Sequence, residues 1–145
     1  SLDYAGYTTE TFDGGVLQIG KAVEGDVAFD LPAGHPDEDH DIAAYYLWLF
    51  PNMMFNFYPW GLSVNVVIPV SPTQCRVLYR GYVKDANLAG QGAGSVLDTV
   101  EDQDQWVIEE VQRGMASRAY DRGRYSPTQE QGVHHFHRML SRLHL

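Results

Sequence analysis

Residues 43–50 read AAYYLWLF, and Pro51 and the segment NMMFNFYPW of residues 52–60 follow them. Aromatic residues favour β-strands, and Pro51 ends the run because proline has no N–H to donate to a sheet. The sequence therefore predicts a buried strand over residues 43–50, followed by an aromatic, methionine-rich segment that ends at Pro59. This stretch decides the fold class, since a buried strand must pair with others in a sheet.

Further strands are predicted on both sides of this stretch. Residues 4–12 and 16–19 contain many strand-forming residues and flank the turn sequence Asp13-Gly14-Gly15, which is typical of an antiparallel hairpin. Residues 62–70 predict another strand. Residues 74–84 alternate apolar and polar side chains, as a half-buried strand does.

After Leu97 the spacing of the apolar residues changes from every second residue, as in a strand, to about every three and a half residues, as in a helix. This pattern predicts a helix that Thr99 caps and that runs to about Tyr120, and a last helix that begins at Ser126-Pro127. A meander of strands followed by helices is an α+β arrangement. We therefore expect an antiparallel sheet with the helices packed on one of its faces.

The composition excludes several classes of protein. The chain has 145 residues, 44% of them hydrophobic, and a net charge of −9, so it can bury a core but has no basic face for nucleic acid. No apolar run is long enough to span a membrane, and no secretory signal is visible, which predicts a cytoplasmic protein. Cys75 is the single cysteine; we expect a small core residue there.

Asp104 differs from the other acidic residues of the first predicted helix, because it shares a face with an apolar stripe at about 100° per residue. The stripe consists of Val107, Ile108, Val111 and Met115. A lone buried carboxylate is costly unless a cation compensates it. The alternative, which periodicity alone favours, is that Asp104 points into solvent and interacts with the helix dipole. Asp102 and Glu109 lie off the stripe.

Three segments, in the same order along the chain, resemble the α-subunits of Rieske non-haem iron oxygenases. Residues 101–114 (EDQDQWVIEEVQRG) resemble the family's C-terminal helix, and residues 45–60 resemble its strand and FPN turn at the active-site pocket. Residues 132–137 (GVHHFH) resemble the closing helix of the choline and betaine monooxygenase branch. The resemblance implies an incomplete helix-grip fold, related to START domains, in which the sheet wraps around the first helix and residues 53–60 lie at the mouth of a cavity.

The resemblance also implies a role for Asp104. The family's pattern of Asp, four residues, Glu, two residues and Gln fits Asp104, Glu109 and Gln112. In the family the Asp joins two His as ligands of a mononuclear Fe(II), and a Rieske [2Fe–2S] cluster with two Cys and two His supplies the electrons. Because Cys75 is alone, we interpret residues 1–145 as the C-terminal part of the catalytic domain, without the Rieske domain, and expect it to be inactive by itself.

The implied function is hydroxylation of an aromatic or quaternary-amine small molecule with O₂, with electrons from a reductase or ferredoxin, in a family that commonly forms trimers. The candidate pocket residues are Met54, Asn56, Tyr58, Trp60, Val107 and Ile108. The alternative is a non-enzymatic helix-grip domain that binds an apolar molecule, in which Asp104 is structural.

Most of the histidines are interpreted as surface or helix residues and not as iron ligands. His35 and His40 have the spacing of an iron-binding pair, but Pro36 and the acidic residues around it predict a surface loop over residues 32–41; iron binding by this pair is the alternative. In the last helix we expect a buried stripe, with His135 facing water and with His134 and His137 at its edge. The stripe consists of Val133, Phe136, Leu140 and Leu143.

Overall fold

The computed structural model describes residues 2–143. Its elements are β1 (Leu2–Phe12), β2 (Gly15–Ala22), β3 (Ile42–Leu49), β4 (Met53–Tyr58), β5 (Gly61–Ser71), β6 (Gln74–Val83), α1 (Leu97–Met115) and α2 (Gln131–Arg142). The strands form one six-stranded sheet in chain order, and every neighbouring pair is antiparallel. The predicted α+β class with an antiparallel sheet is confirmed, and the aromatic segment after Pro51 becomes β4.

The cross-strand register defines the face of the sheet on which α2 lies. Tyr46 of β3 is paired with Gln18 of β2 and Asn56 of β4, and Trp48 is paired with Val16 and Met54. Directly paired residues point to the same side of a sheet. We call this side the helix face and define it by these residues: Val16, Gln18, Tyr46, Trp48, Met54 and Asn56.

The helix that packs on this face is α2, which contacts β1 and β2. The ring of Phe136 meets that of Trp48 edge to face, with centroids 5.1 Å apart. Met139 is buried, and the half-buried ring of His135 donates from Nε2 to the carbonyl oxygen of Phe12, 2.9 Å away. The prediction that His135 faces water is therefore wrong.

The predicted stripe of α2 is wrong at both ends, since Val133 and Leu143 are 46% and 50% exposed. The helix also begins at Gln131, later than Ser126-Pro127. The reason lies in the turn before it, where the Ser126 N–H donates to the Glu130 carboxylate at 2.6 Å.

The first helix differs more from its prediction. It begins at Leu97 with Val96 at the N-cap, so Thr99 lies inside the first turn and does not cap it, and it ends at Met115. None of its residues is buried. Val107, Ile108, Val111 and Met115 are between 48% and 62% exposed, because periodicity determines which residues share a face but not which surface that face meets. Of α1 and α2, it is α2 that packs closely on the sheet, while Glu101 and Asp104 of α1 lie within electrostatic reach of Tyr79 of β6.

Two smaller features complete the fold. Cys75 is exposed on the edge strand β6, so its prediction as a core residue is wrong: within residues 2–143 no further strand covers this edge. Residues 32–41 form the predicted loop of turns between β2 and β3. In residues 2–143 neither helix is long and apolar enough to cross a membrane.

Candidate functional site

A cavity of about 380 Å³ lies between α2 and the helix face of the sheet. The aromatic part of its wall is built by Tyr7, Tyr46, Trp48 and Phe136. The amides of Gln18 and Asn56 form the polar part. Among the residues that the structure describes, none of those lining this cavity carries a charge. We call it the α2 cavity.

Hydrogen bonds fix the polar groups of the cavity wall. The Tyr7 hydroxyl donates to Oε1 of Gln18 at 3.3 Å, and Nε2 of Gln18 donates to Oγ1 of Thr9 at 3.3 Å. The rings of Tyr46 and Tyr58 pack edge to face, with centroids 6.0 Å apart. Gln18 thus presents an oriented amide to the cavity, and the tyrosines are tied to the sheet.

The tyrosine hydroxyls stay neutral near neutral pH. Burial raises the pKa of Tyr7 to about 12, with a smaller contribution from Tyr46. Burial also raises the pKa values of Tyr46 and Tyr58 above the ordinary value for tyrosine. The cavity therefore offers neutral rings and neutral polar groups to a ligand.

The six residues predicted for the pocket fall in three places. Met54 and Asn56 line the α2 cavity. Tyr58 and Trp60 are buried in a core cluster with Ala43, Ala44 and Ala93, and Trp60 borders a second cavity of about 320 Å³ beside the first turn of α1. Val107 and Ile108 are exposed and line neither cavity.

Four aromatic residues of the cavity wall were absent from the prediction: Tyr7, Tyr46, Trp48 and Phe136. Strand alternation in AAYYLWLF contains the signal for two of them, because Tyr46 and Trp48 lie two apart and share a face. Phe136 could be found from the α2 stripe only once the packing of that helix was known.

Asp104 is exposed on α1. Among residues 2–143 no hydrogen bond or ion pair engages its carboxylate. It lies close enough to Tyr79 of β6 to raise the pKa of that residue, after the larger effects of burial and Glu101. Asp102 is also exposed. The interpretation of Asp104 as a buried carboxylate does not hold in this structure, whereas its role as a metal ligand stays a prediction.

Glu101 is the half-buried member of the acidic cluster around Asp104. Its pKa is raised, first by burial and then by Asp98, Asp102 and Asp104. Ionising Glu101 in the folded protein therefore costs stability. This cost is absent below the ordinary value of 4.5 and appears as the pH rises through the raised value.

Glu101→Gln should consequently stabilise the protein by about 0.5 kcal/mol at pH 7, because it removes like-charge pairs at helical spacing. At pH 4 the gain should vanish. Urea unfolding at the two pH values measures the difference, with Glu24→Gln in an exposed turn as the matched control. An equal gain at both pH values would contradict this electrostatic account.

The resemblance implies a mononuclear Fe(II) and a [2Fe–2S] cluster, and the described residues supply only some of the ligands that these two groups need. In residues 2–143 no group of three His, Cys, Asp or Glu is arranged to hold a metal ion. Asp104 fits the carboxylate position of an iron site with two His ligands and one carboxylate. None of the described histidines lies with Asp104 in a group that could hold a metal ion. Cys75 alone does not fit a [2Fe–2S] cluster.

His35 and the histidines of α2 have other partners. His35 accepts a hydrogen bond from the Asp37 N–H at 3.1 Å, within the loop. Tyr125 contacts both outer histidines of α2: its hydroxyl is 2.5 Å from Nδ1 of His137, and its ring centroid is 5.0 Å from that of His134.

Comparison with known proteins agrees with this architecture. The family model described as "Ring hydroxylating alpha subunit (catalytic domain)" matches residues 20–144. The chain is 34% identical over 147 residues to a chloroplastic choline monooxygenase of Arabidopsis thaliana, covering 96% of this chain and 32% of that protein. It is 28% identical over 141 residues to the choline monooxygenase of Beta vulgaris, covering 94% of this chain and 30% of that protein.

The chain thus spans about a third of the length of these curated relatives. The family match nevertheless covers most of the chain, from the end of β2 through β3–β6, α1 and α2. This confirms the resemblance to Rieske oxygenases, whose full-length members contain non-haem iron and a [2Fe–2S] centre. The chain belongs to the family of ring-hydroxylating α-subunit catalytic domains.

Proposed function

We propose that this chain is the C-terminal part of the catalytic domain of an oxygenase that hydroxylates a small quaternary amine with O₂ and mononuclear iron. The Rieske domain and the two histidine ligands are contributed by other parts of a longer protein. A reductase or ferredoxin supplies electrons, and the longer protein is a trimer. The cytoplasmic location stays a prediction; the names of the two relatives place those proteins in chloroplasts.

The observation that carries the substrate class is the neutral, aromatic α2 cavity. Aromatic faces attract a quaternary ammonium group by about 0.5–2 kcal/mol each when it lies within about 6 Å of the ring. Tyr7 and Tyr46 have centroids 6.2 Å apart, and Trp48 and Phe136 have centroids 5.1 Å apart. The relatives' name, choline monooxygenase, agrees with this substrate class.

The polar groups of the cavity suit the other end of such a substrate. Gln18 is held by Tyr7 and Thr9, and its amide, with that of Asn56, can donate to and accept from a hydroxyl group. No lysine or arginine lines the cavity among the described residues, so a carboxylate end would lack a charged partner.

In the proposed active site Asp104 is the carboxylate ligand of the iron. Mononuclear Fe(II), when bound and supplied with electrons from the [2Fe–2S] cluster, provides the activation of O₂ that C–H hydroxylation requires. Trp48, Met54 and Phe136 exclude water from the substrate. The neutral amides of Gln18 and Asn56 orient it.

Binding of choline and of its neutral isostere 3,3-dimethyl-1-butanol to the full-length protein tests the substrate class. The two molecules share shape and hydroxyl group and differ in the positive charge. We expect choline to bind at least about 10-fold more tightly, since several rings contribute cation–π attraction. Equal affinity, measured by titration calorimetry, would contradict the proposal. Tight binding without substrate-dependent O₂ consumption would favour the non-enzymatic alternative.

A further inference from the structure

The loop that leads from β6 into α1 is held to the sheet at Trp60. The indole Nε1–H of Trp60 donates to the carbonyl oxygen of Ala93 at 3.0 Å, in a buried bond that joins residues far apart in sequence. Trp60 and Ala93 are each 7% exposed. The backbone carbonyl of Trp60 also accepts hydrogen bonds from the N–H groups of Lys84, at 2.8 Å, and Asp85, at 3.1 Å. Trp60 thus anchors the loop of residues 84–96 near its start and near its end.

Tyr58 and Gly94 complete the anchor. The rings of Tyr58 and Trp60 are stacked, with centroids 5.1 Å apart and planes 8° from parallel. Gly94 lies directly against the Tyr58 ring: a Cβ atom there would be 2.8 Å from ring carbons, and the backbone has a φ of +74°. The close approach and the left-handed backbone both require glycine at this position.

The anchor lies immediately before the helix that carries Asp104. Leu97, the first residue of α1, packs against the same core cluster as Trp60 and Ala93. Beyond this point Glu101 is the one residue of α1 that is half-buried, and the apolar side chains of the helix are exposed. Within residues 2–143, the position of α1 is therefore determined at its first turn.

We infer that Trp60 is a positioning residue for the Asp104 helix: its indole N–H, with Gly94 seated on Tyr58, determines where α1 starts and thereby where the Asp104 carboxylate lies. The inference rests on the proposed role of Asp104 as the iron ligand. Trp60 contacts neither substrate nor metal in this account. Its effect is transmitted through Ala93 and the first turn of α1.

Trp60→Phe separates this role from simple core packing, because phenylalanine keeps a ring on Tyr58 and removes only the N–H donor. It leaves the buried carbonyl of Ala93 without its partner, which loosens the loop. Gly94→Ala perturbs the same anchor from the other side. The matched controls are Trp106→Phe, at an indole that is 63% exposed, and Gly90→Ala, where φ is also positive but nothing lies within 4 Å of the added Cβ.

Amide hydrogen exchange in the iron-free full-length protein is the first measurement. We expect residues 93–101 to exchange about 10-fold faster in Trp60→Phe and Gly94→Ala than in the wild type and the controls. Exchange in α2 should not change. Equal acceleration in α1 and α2, or no acceleration, would overturn the inference, because it would mean a general loss of stability or no anchoring.

The second measurement is mononuclear iron in the reloaded protein. Iron release to a chelator should be about 10-fold faster in both anchor variants, and the electron paramagnetic resonance of the ferrous site with nitric oxide should change shape, while the absorbance of the [2Fe–2S] cluster is unchanged. Wild-type release and spectrum in Trp60→Phe would overturn the inference. Retention of iron in Asp104→Ala would instead contradict the proposed ligand, whatever the anchor variants do.

Discussion

Replacing Asp104 by alanine should lower hydroxylation by the full-length protein more than about 100-fold and deplete its mononuclear iron. A metal site that loses a carboxylate ligand binds the metal more weakly and no longer fixes its coordination geometry. Even changes to residues that only support the ligands lower metal affinity or activity about 10- to 100-fold. Asp104 is exposed on α1. The Rieske cluster should keep its absorbance, since residues 2–143 contribute only Cys75 as a thiol.

Asp102→Ala is the matched control, since it removes an exposed carboxylate from the same helix. It should leave both the iron content and the rate of hydroxylation close to those of the wild type. If Asp102→Ala removed the iron and Asp104→Ala did not, the ligand would be Asp102.

The second large effect is expected at Trp48. Trp48→Leu removes the indole from the wall of the α2 cavity and its contact with Phe136. We expect the Kd for choline to rise about 10- to 30-fold, because tryptophan gives the strongest cation–π attraction. The Kd for 3,3-dimethyl-1-butanol should rise much less, since this molecule loses only apolar contact. Titration calorimetry with both molecules measures the two changes.

Phe57→Leu provides the control for Trp48→Leu. Phe57 lies beside Asn56 on β4, where alternation points it away from the helix face, and it does not line the α2 cavity. Its replacement should change neither Kd. An equal loss of affinity for choline and for its neutral isostere in Trp48→Leu would mean that the cavity selects by shape and not by charge.

The strands were largely predictable from sequence because local signals determine them. Asp13 and Gly14 form the turn between β1 and β2, and Pro51 lies in the turn that follows β3, as expected from its missing N–H. Gly90, Gly92 and Gly94 lie in the loop between β6 and α1 and all have positive φ, which glycine adopts readily. Such features depend on neighbours along the chain, which the sequence contains.

The packing of the helices was not predictable in the same way. Val107 and Ile108 share a helical face with Asp104, yet that face is exposed. His135 was expected in water and instead bonds to Phe12. The hydrophobic period gives the faces of a helix only relative to one another, and it does not determine which of those faces meets the sheet.

The candidate site also contains some residues that the sequence identified and others that only the packing of distant segments reveals. Met54 and Asn56 could be selected from the aromatic segment, and both line the α2 cavity. Tyr7 and Phe136 complete its wall from distant parts of the chain. Trp60 was predicted to line the substrate pocket, but its N–H bonds to Ala93. Contacts between distant segments decide which aromatic residues build a cavity and which build the core.

The amount of iron in excess of the [2Fe–2S] cluster, measured in the full-length protein and in its Asp104→Ala and Asp102→Ala forms, tests the central claim most directly. Elemental analysis gives total iron, and the cluster absorbance gives the iron that belongs to the Rieske centre. We predict that the excess iron is present in the wild type and in Asp102→Ala and is lost in Asp104→Ala. Full retention of the excess iron in Asp104→Ala would contradict the assignment of this chain's carboxylate to the iron site.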